Sequence, residues 1–120
     1  MELLLLDSDR ARQDAIARQI RESLATDTEI SFDFQRQRKI FDALPEKDFV
    51  AVWIWIGGMD DLEAARLLAR VAPKLPLVFY SDSDEYAIES YRIGACYYLE
   101  YPVNVSALNE ALIRCGLLKE

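Results

Sequence analysis

The stretch 49-FVAVWIWI-56, followed by Gly57–Gly58, decides the fold of this chain. It is the most apolar run in the sequence, and a continuous apolar run of this length is typical of a strand buried on both faces of a sheet. A helix is predicted directly after the glycines, from about Asp60 to Val71, with Leu62, Ala65, Leu68 and Val71 facing inward. The run therefore predicts a central parallel strand that leads through a short turn into a covering helix.

The same alternation of an apolar run and an amphipathic stretch continues on both sides of this strand. Further strands are predicted at Leu3–Leu6, Glu29–Phe34, Leu77–Tyr80 and Cys96–Glu100. Further helices are predicted at Asp9–Leu24, at Arg36–Leu44 with Pro45 after it, at Asp84–Ile93 and from Val105 onward. Strands alternating with helices in this way predict an α/β domain. The expected fold is a flavodoxin-like, doubly wound (βα)5 arrangement, with a five-stranded parallel sheet covered by helices on both faces and a single domain over residues 1–120.

Polar residues and one glycine mark the predicted helix ends. Asp7 is interpreted as the cap of the first helix, within the turn that it forms with Ser8 and Asp9. Ser83 and Asn104 are the predicted N-caps of the fourth and fifth helices, and Gly94 is predicted to end the fourth. The inward side chains are predicted to be Ala11, Ala15, Ile16, Ile20 and Leu24 in the first helix and Val105, Leu108, Leu112 and Cys115 in the last.

The composition argues against several classes of function. A formal net charge of −7 disfavours direct nucleic-acid contact by this domain, so any DNA binding would belong to a downstream domain. The absence of histidine excludes Ser–His and Cys–His nucleophile pairs and His-ligated metals. Cys96 and Cys115 form no metal or redox motif and are predicted to be buried free thiols. Met1–Leu6 lacks the features of a signal peptide and no stretch is long enough to span a membrane. We therefore expect a cytoplasmic protein without membrane contact, enzymatic activity, cofactor or metal.

In doubly wound sheets the functional crevice lies outside the carboxyl ends of the strands. The segments near that edge resemble the receiver domains of bacterial response regulators, over essentially all of Met1–Gly116. The loop 58-GMDDLE-63 is similar to the receiver loop after the third strand, and Pro102 stands where receivers carry a Lys–Pro pair whose peptide is often cis. The segment 84-DEYA-87, followed by Gly94–Ala95 and Tyr98–Leu99, looks like receivers that precede LytTR-type DNA-binding domains.

The resemblance implies a specific phosphorylation chemistry, most of which this chain lacks. Receivers place a phospho-acceptor carboxylate at the end of the third strand, two acids for Mg²⁺ after the first strand, a hydroxyl after the fourth and a lysine before the proline. The corresponding positions in this chain, aligned without gaps, are Trp53, Asp7 with Ser8, Ser81 followed by Asp82, and Tyr101. A shift of the alignment by two places moves the acceptor position onto Trp55, which is also unable to form an acyl phosphate.

Three hypotheses follow for this degenerate pocket. In the first, Trp53 and Tyr101 fill the space and the domain is a pseudo-receiver that works without phosphorylation. In the second, an aromatic pocket of Trp53, Tyr80, Ser81 and Tyr101 binds a small planar or apolar ligand as a sensor. In the third, Asp60 or Asp61 swings inward and serves as a displaced phospho-acceptor, with Asp7 holding Mg²⁺.

The resemblance also implies where a partner would bind. Receivers present a face made of the fourth helix, fifth strand and fifth helix to a partner protein or a second copy, and Tyr98 matches their aromatic switch residue. We call this surface the switch face, and its candidate residues are Glu89, Arg92, Tyr98, Glu100, Glu110 and Arg114. Taken alone, each of these charges fits an ordinary solvated side chain better than an interface role, and Tyr98 fits a half-buried strand aromatic equally well. The leading expectation is signal transduction or transcription control through homodimerisation or partner docking on the switch face.

Overall fold

A computed structural model describes residues 1–36 and 48–119. The strands are β1 Glu2–Leu6, β2 Ser31–Gln35, β3 Phe49–Trp55, β4 Leu77–Ser81 and β5 Tyr97–Glu100. The helices within these ranges are α1 Arg10–Ser23, α2 Met59–Val71, α3 Ala87–Ile93 and α4 Val105–Arg114. The predicted fourth and fifth helices therefore correspond to α3 and α4. The helix predicted at Arg36–Leu44, and Pro45 after it, lie outside the described residues except for Arg36.

The five strands form one parallel sheet in the order β2-β1-β3-β4-β5. β3 lies at the centre, as the run 49–56 predicts, and its residues alternate between two buried clusters. Trp53 and Trp55 pack on the face covered by α1 and α4, whereas Val52 and Ile54 pack on the face covered by α2. The predicted doubly wound α/β fold is confirmed.

Several predicted details of the helices are also confirmed. The turn of Asp7, Ser8 and Asp9 does cap α1, through the Asp9 carboxylate, which accepts hydrogen bonds from the backbone N–H groups of Ala11 and Arg12. Asn104 caps α4 through a 2.7 Å bond from the N–H of Ala107. Gly94 ends α3 with a φ of 115°, a left-handed conformation that favours glycine.

Other helix predictions are wrong. Ser83 is not a helix cap, because its hydroxyl instead accepts the N–H of Glu85 in a turn and α3 begins only at Ala87. Val71 and Val105 are exposed, at 61% and 64%, because each is the terminal residue of its helix.

One residue of the predicted inward face of α1 is wrong. Ala11 is exposed, and the polar side chain of Gln13 is buried in its stead. The Gln13 amide donates to the carbonyl oxygens of Leu5 at 3.0 Å and Gln35 at 3.1 Å, which satisfies it inside the protein. Gln13 therefore ties α1 to both β1 and β2.

Both cysteines are free, as predicted, but only one is buried. Cys115 lies in the core beside α4, and burial raises the pKa of its thiol to about 11. Cys96 is half-buried, so the prediction of two buried thiols is only half right. No helix in the described part of the chain is long and apolar enough to cross a membrane.

Candidate functional site

The carboxyl ends of β1, β3, β4 and β5 bring the predicted site residues to one edge of the sheet. Asp7 follows β1, Trp55 ends β3, and Ser81 ends β4. Tyr101 follows β5, and its backbone N–H donates to the Ser81 carbonyl at 2.7 Å. The peptide bond between Tyr101 and Pro102 is cis, as the resemblance to receivers implies.

Asp7 is the polar centre of this edge. Its side chain is buried and accepts four hydrogen bonds, from Arg12 Nε at 3.0 Å, Arg12 Nη2 at 2.8 Å, the Tyr80 hydroxyl at 2.9 Å and the Asp9 N–H at 2.9 Å. Four is about the number of hydrogen bonds that an ionised carboxylate accepts. The interpretation of Asp7 as the cap of the first helix is wrong, because Asp9 occupies that position.

Arg12 holds Asp7 from the first turns of α1 and is the functional residue that the sequence analysis missed. Its guanidinium carbon lies 3.6 Å from the centroid of the Trp55 ring, and Nη1 lies 3.4 Å from the Asp9 carboxylate. The hydrogen bond to Asp7 raises the pKa of Arg12 above its ordinary value. The available signal was the position of an arginine one turn into the helix that follows Asp7, but many surface helices carry such a residue.

Trp55, and not Trp53, occupies the end of β3. Its ring contacts Tyr80, with centroids 5.6 Å apart, and meets Tyr101 edge-on at 6.1 Å. Trp53 lies two residues earlier in the strand and is fully buried in the core against α1 and α4. The placement of Trp53 in the pocket is therefore wrong. The physical reason is a short turn, since β3 extends to Trp55 and α2 already begins at Met59.

The rest of the pocket is closed by aromatic packing. Tyr80 is fully buried and Trp55 is 7% exposed, so these rings occupy the space in which the sensor hypothesis places a ligand. Ser81 is also fully buried, and its hydroxyl has no hydrogen-bond partner within the geometric limits among the described residues. Ser8 and Asp82 are exposed at the rim.

Asp61 reaches back from the first turn of α2 towards this edge, whereas Asp60 stays exposed. The Asp61 carboxylate accepts the backbone N–H of Gly57 at 2.7 Å, and burial raises the pKa of Asp61 above its ordinary value. Gly57 itself has no room for a side chain, because a Cβ there would lie 2.8 Å from Trp55 Nε1. Asp61 thus fixes the turn after β3 and does not take the position of Trp55.

Tyr98 connects β5 to the loop before α3. Its hydroxyl donates to the Ser83 carbonyl at 2.6 Å, so the half-buried ring points into the protein. The Tyr98 backbone N–H donates to the Tyr91 hydroxyl at 3.2 Å, on the outer edge of the sheet. These two hydrogen bonds fix the Tyr98 backbone against α3 and its side chain against the loop before α3.

The charged residues of the switch face form ion pairs within their own helices. Arg92 pairs with Glu89 in α3 and Arg114 with Glu110 in α4, each at 2.8 Å, and Glu100 is exposed at the end of β5. Glu89 also approaches Arg66 of α2 at 3.7 Å. The structure therefore brings the predicted residues to one side of the molecule, with Glu89 turned towards α2.

Comparison with solved structures identifies the architecture. A response regulator from Thermotoga maritima superposes with a TM-score of 0.77 at 18% identity, covering 95% of each chain. A receiver protein from Pseudoalteromonas atlantica gives a TM-score of 0.78 at 14% identity, covering 96% of each. The chain has the fold of a response-regulator receiver domain. A protein from Burkholderia pseudomallei described as related to pilus assembly has the same fold, with a TM-score of 0.80, 22% identity and coverage of 96% of this chain and 88% of that one.

One curated protein is similar to this receiver-fold chain in sequence. It is the positive alginate biosynthesis regulatory protein of Pseudomonas aeruginosa, 39% identical over 74 residues. That match covers 61% of this chain and 29% of the relative. No protein-family model matches the sequence.

The receiver fold implies a Mg²⁺ ion beside the acceptor, and the residues present do not fit it. Mg²⁺ needs oxygen ligands in octahedral geometry. Asp7 gives its oxygens to Arg12, Tyr80 and the Asp9 N–H, and Trp55 brings no carboxylate. Within residues 1–36 and 48–119, no three acidic or thiol side chains are grouped to hold a metal.

Proposed function

We propose that this chain is a pseudo-receiver, a receiver-fold domain that takes part in signal transduction through protein contacts and without phosphorylation. One observation carries the proposal. Arg12 binds both carboxylate oxygens of Asp7 and lies over the Trp55 ring, at the edge of the sheet where the resemblance places the metal and the phospho-acceptor. An indole has no oxygen with which to form an acyl phosphate, and the oxygens of Asp7 already accept hydrogen bonds from Arg12, Tyr80 and the Asp9 N–H.

The signal in this proposal is read from the switch face. The Tyr98 hydroxyl donates to the Ser83 carbonyl and its backbone N–H donates to the Tyr91 hydroxyl, which supports a face with one resting arrangement. The face also exposes apolar side chains, since Ile88 is 69% exposed and Tyr91 49% exposed on α3. Apolar side chains ringed by Arg92, Arg114, Glu100 and Glu110 suit a protein interface with a polar rim. We propose that a second copy or a partner protein binds there.

The activity that such a domain controls belongs to its partner or to an attached domain. The alginate regulatory protein, by its name, regulates biosynthesis, and this chain matches less than a third of it. On that basis we propose that the switch face controls gene regulation, with any DNA contact made by another domain. The formal charge of −7 supports the proposal that this domain does not contact DNA itself.

The test is a titration with Mg²⁺ and then with beryllofluoride, a mimic of the phosphoryl group, followed by backbone amide NMR. We expect no shift of the Asp7, Trp55, Ser81 or Tyr98 amides at either step. Shifts that begin at Asp7 and spread to Tyr98 would overturn phosphorylation independence and favour the displaced acceptor.

A second experiment tests the switch face itself. Sedimentation of the wild type over a concentration series is compared with an Arg92→Glu/Arg114→Glu variant and with a control, Arg70→Glu/Lys74→Glu, which reverses two exposed charges on and just after α2. We expect a dimer that the double variant weakens and the control retains. A strict monomer at every concentration would remove the homodimer and leave only a separate partner protein.

A further inference from the structure

The opposite edge of the sheet carries a layer of arginines over phenylalanines. Phe32 and Phe34 of β2 lie nearly parallel, with ring centroids 6.1 Å apart and an interplanar angle of 14°. Arg10 of α1 lies over the Phe34 ring, 3.9 Å from its centroid, and Arg21 lies over the Phe32 ring at 4.7 Å. Two cations therefore lie over an aromatic base beside α1.

An open groove of about 510 Å³ runs between these arginines. Arg10, Arg18 and Arg21 supply its basic side, and Phe34 and the buried Ala17 supply an apolar floor. Asp14 and Glu22 also line it, and Asp14 pairs with Arg10 at 3.0 Å. Among the residues that the structure describes, Arg18 and Arg21 have no acidic partner within ion-pair distance.

Arg10 donates its Nε–H to Asp14, whereas Arg21 lies over the Phe32 ring with no ion pair to an acid among the described residues. A guanidinium that lies flat on a ring uses its face, while its N–H donors point outward in its own plane and match a carboxylate. The ring also limits side-chain motion, so less conformational freedom is lost when an anion binds. This is a preformed site for carboxylates on a chain whose overall charge is −7.

We propose that the groove between α1 and β2 binds an acidic peptide segment of a partner protein. Carboxylates of the segment pair with Arg18 and Arg21, and an apolar side chain between them rests on Phe34 and Ala17. Nucleic acid is the less suitable occupant, because Asp14 and Glu22 would repel a continuous row of phosphates. The site goes beyond the proposed function, since β2 and β5 are opposite edges of the sheet and the switch face lies at β5.

The probe is a short fluorescein-labelled peptide of alternating glutamate and leucine, measured by fluorescence anisotropy. An Arg18→Glu/Arg21→Glu variant is compared with the wild type and with a control, Arg70→Glu/Lys74→Glu, which makes the same charge change at two exposed positions elsewhere. We expect the double variant to bind at least about tenfold more weakly, the control to bind like wild type, and added salt to weaken all binding. Arg18→Ala, at an exposed position without a ring contact, is the second variant should the double variant fold poorly.

Three results would overturn the proposal: no binding of the glutamate peptide, an equal loss with the Arg70→Glu/Lys74→Glu control, or tighter binding of a single-stranded oligonucleotide. The outcome is independent of the proposed function. Peptide binding reports on the β2 edge, whereas the magnesium, beryllofluoride and sedimentation experiments report on the pocket and the β5 edge. A negative result for the peptide site would not contradict the proposed function, and a negative result for the proposed function would not contradict the peptide site.

Discussion

Arg12 and Asp7 form a two-point ion pair at the carboxyl end of the sheet, with N–O distances of 2.8 and 3.0 Å. The Asp7 side chain is fully buried, whereas the Arg12 side chain keeps 21% of its surface exposed. An arginine from the first turns of α1 thus supplies the positive charge at this edge. The stability of the pocket depends on that charge.

Replacing Arg12 by alanine is expected to lower the free energy of unfolding by about 3 kcal/mol, because it leaves a buried carboxylate with only neutral donors. Urea denaturation followed by circular dichroism measures this. The control is Arg92→Ala, whose pair with Glu89 is exposed and should cost less than about 1 kcal/mol. Equal losses in the two variants would mean that Arg12 is an ordinary surface cation.

The two tryptophans of β3 should respond differently to substitution. Trp53→Ala empties a fully buried site and is expected to cost about 3–5 kcal/mol. Trp55→Phe keeps an aromatic ring under Arg12 and should cost clearly less. Urea midpoints of the two variants make the comparison, and a larger loss for Trp55→Phe would contradict the assignment of Trp53 to the core.

Removing the Tyr98 hydroxyl should loosen the loop before α3. Tyr98→Phe loses the 2.6 Å hydrogen bond to the Ser83 carbonyl, at a cost of about 1 kcal/mol. Amide hydrogen exchange should become faster over residues 83–87. Tyr97→Phe, on the same strand, is the control, and unchanged exchange in Tyr98→Phe would show that the loop is held by other contacts.

Cys115 should be unreactive in the folded protein. Its thiol is buried and its pKa is raised to about 11, so at pH 8 almost none of it is the reactive thiolate. In a Cys96→Ser variant, iodoacetamide is therefore expected to label the chain only after denaturation. Rapid labelling under native conditions would show that the end of α4 opens.

Asp61 should give the protein an acid-range pH dependence. Its folded-state pKa lies above the ordinary 3.8, so the folded protein holds this proton more tightly than the unfolded chain does. The stability from this group is fully present below the unfolded pKa and is lost as pH rises through the folded pKa. Asp61→Asn keeps an oxygen for the Gly57 N–H and should remove that loss.

The measurement for Asp61 is a set of urea denaturation curves at several pH values from acid to neutral. The advantage of Asp61→Asn over wild type should grow as pH rises above 3.8 and then level off. Asp60→Asn, at the exposed neighbouring residue, is the control. A pH-independent difference would show that Asp61 has the same pKa in both states.

The sequence was sufficient to predict the parallel sheet and its covering helices, because both depend on apolar runs that alternate with amphipathic stretches. The residue at the end of β3 was not predictable from a gapless alignment, because the strand continues two residues beyond Trp53. Arg12 was missed because a polar residue near a helix start looks solvated until Trp55 is placed beneath it. The start of α3 was misjudged because Ser83 is an equally good turn residue and helix cap.

The contact of Arg12 with both Asp7 and Trp55 has an evolutionary consequence. A Trp55→Asp change alone would bring a second carboxylate towards Asp7 and remove the ring on which the guanidinium lies. Loss of Arg12 alone would leave Asp7 buried without a cation, and a lysine at position 101 alone would remove the ring that packs against Trp55. Each of these single changes is therefore expected to make the protein less stable, so the pocket residues constrain one another's replacement.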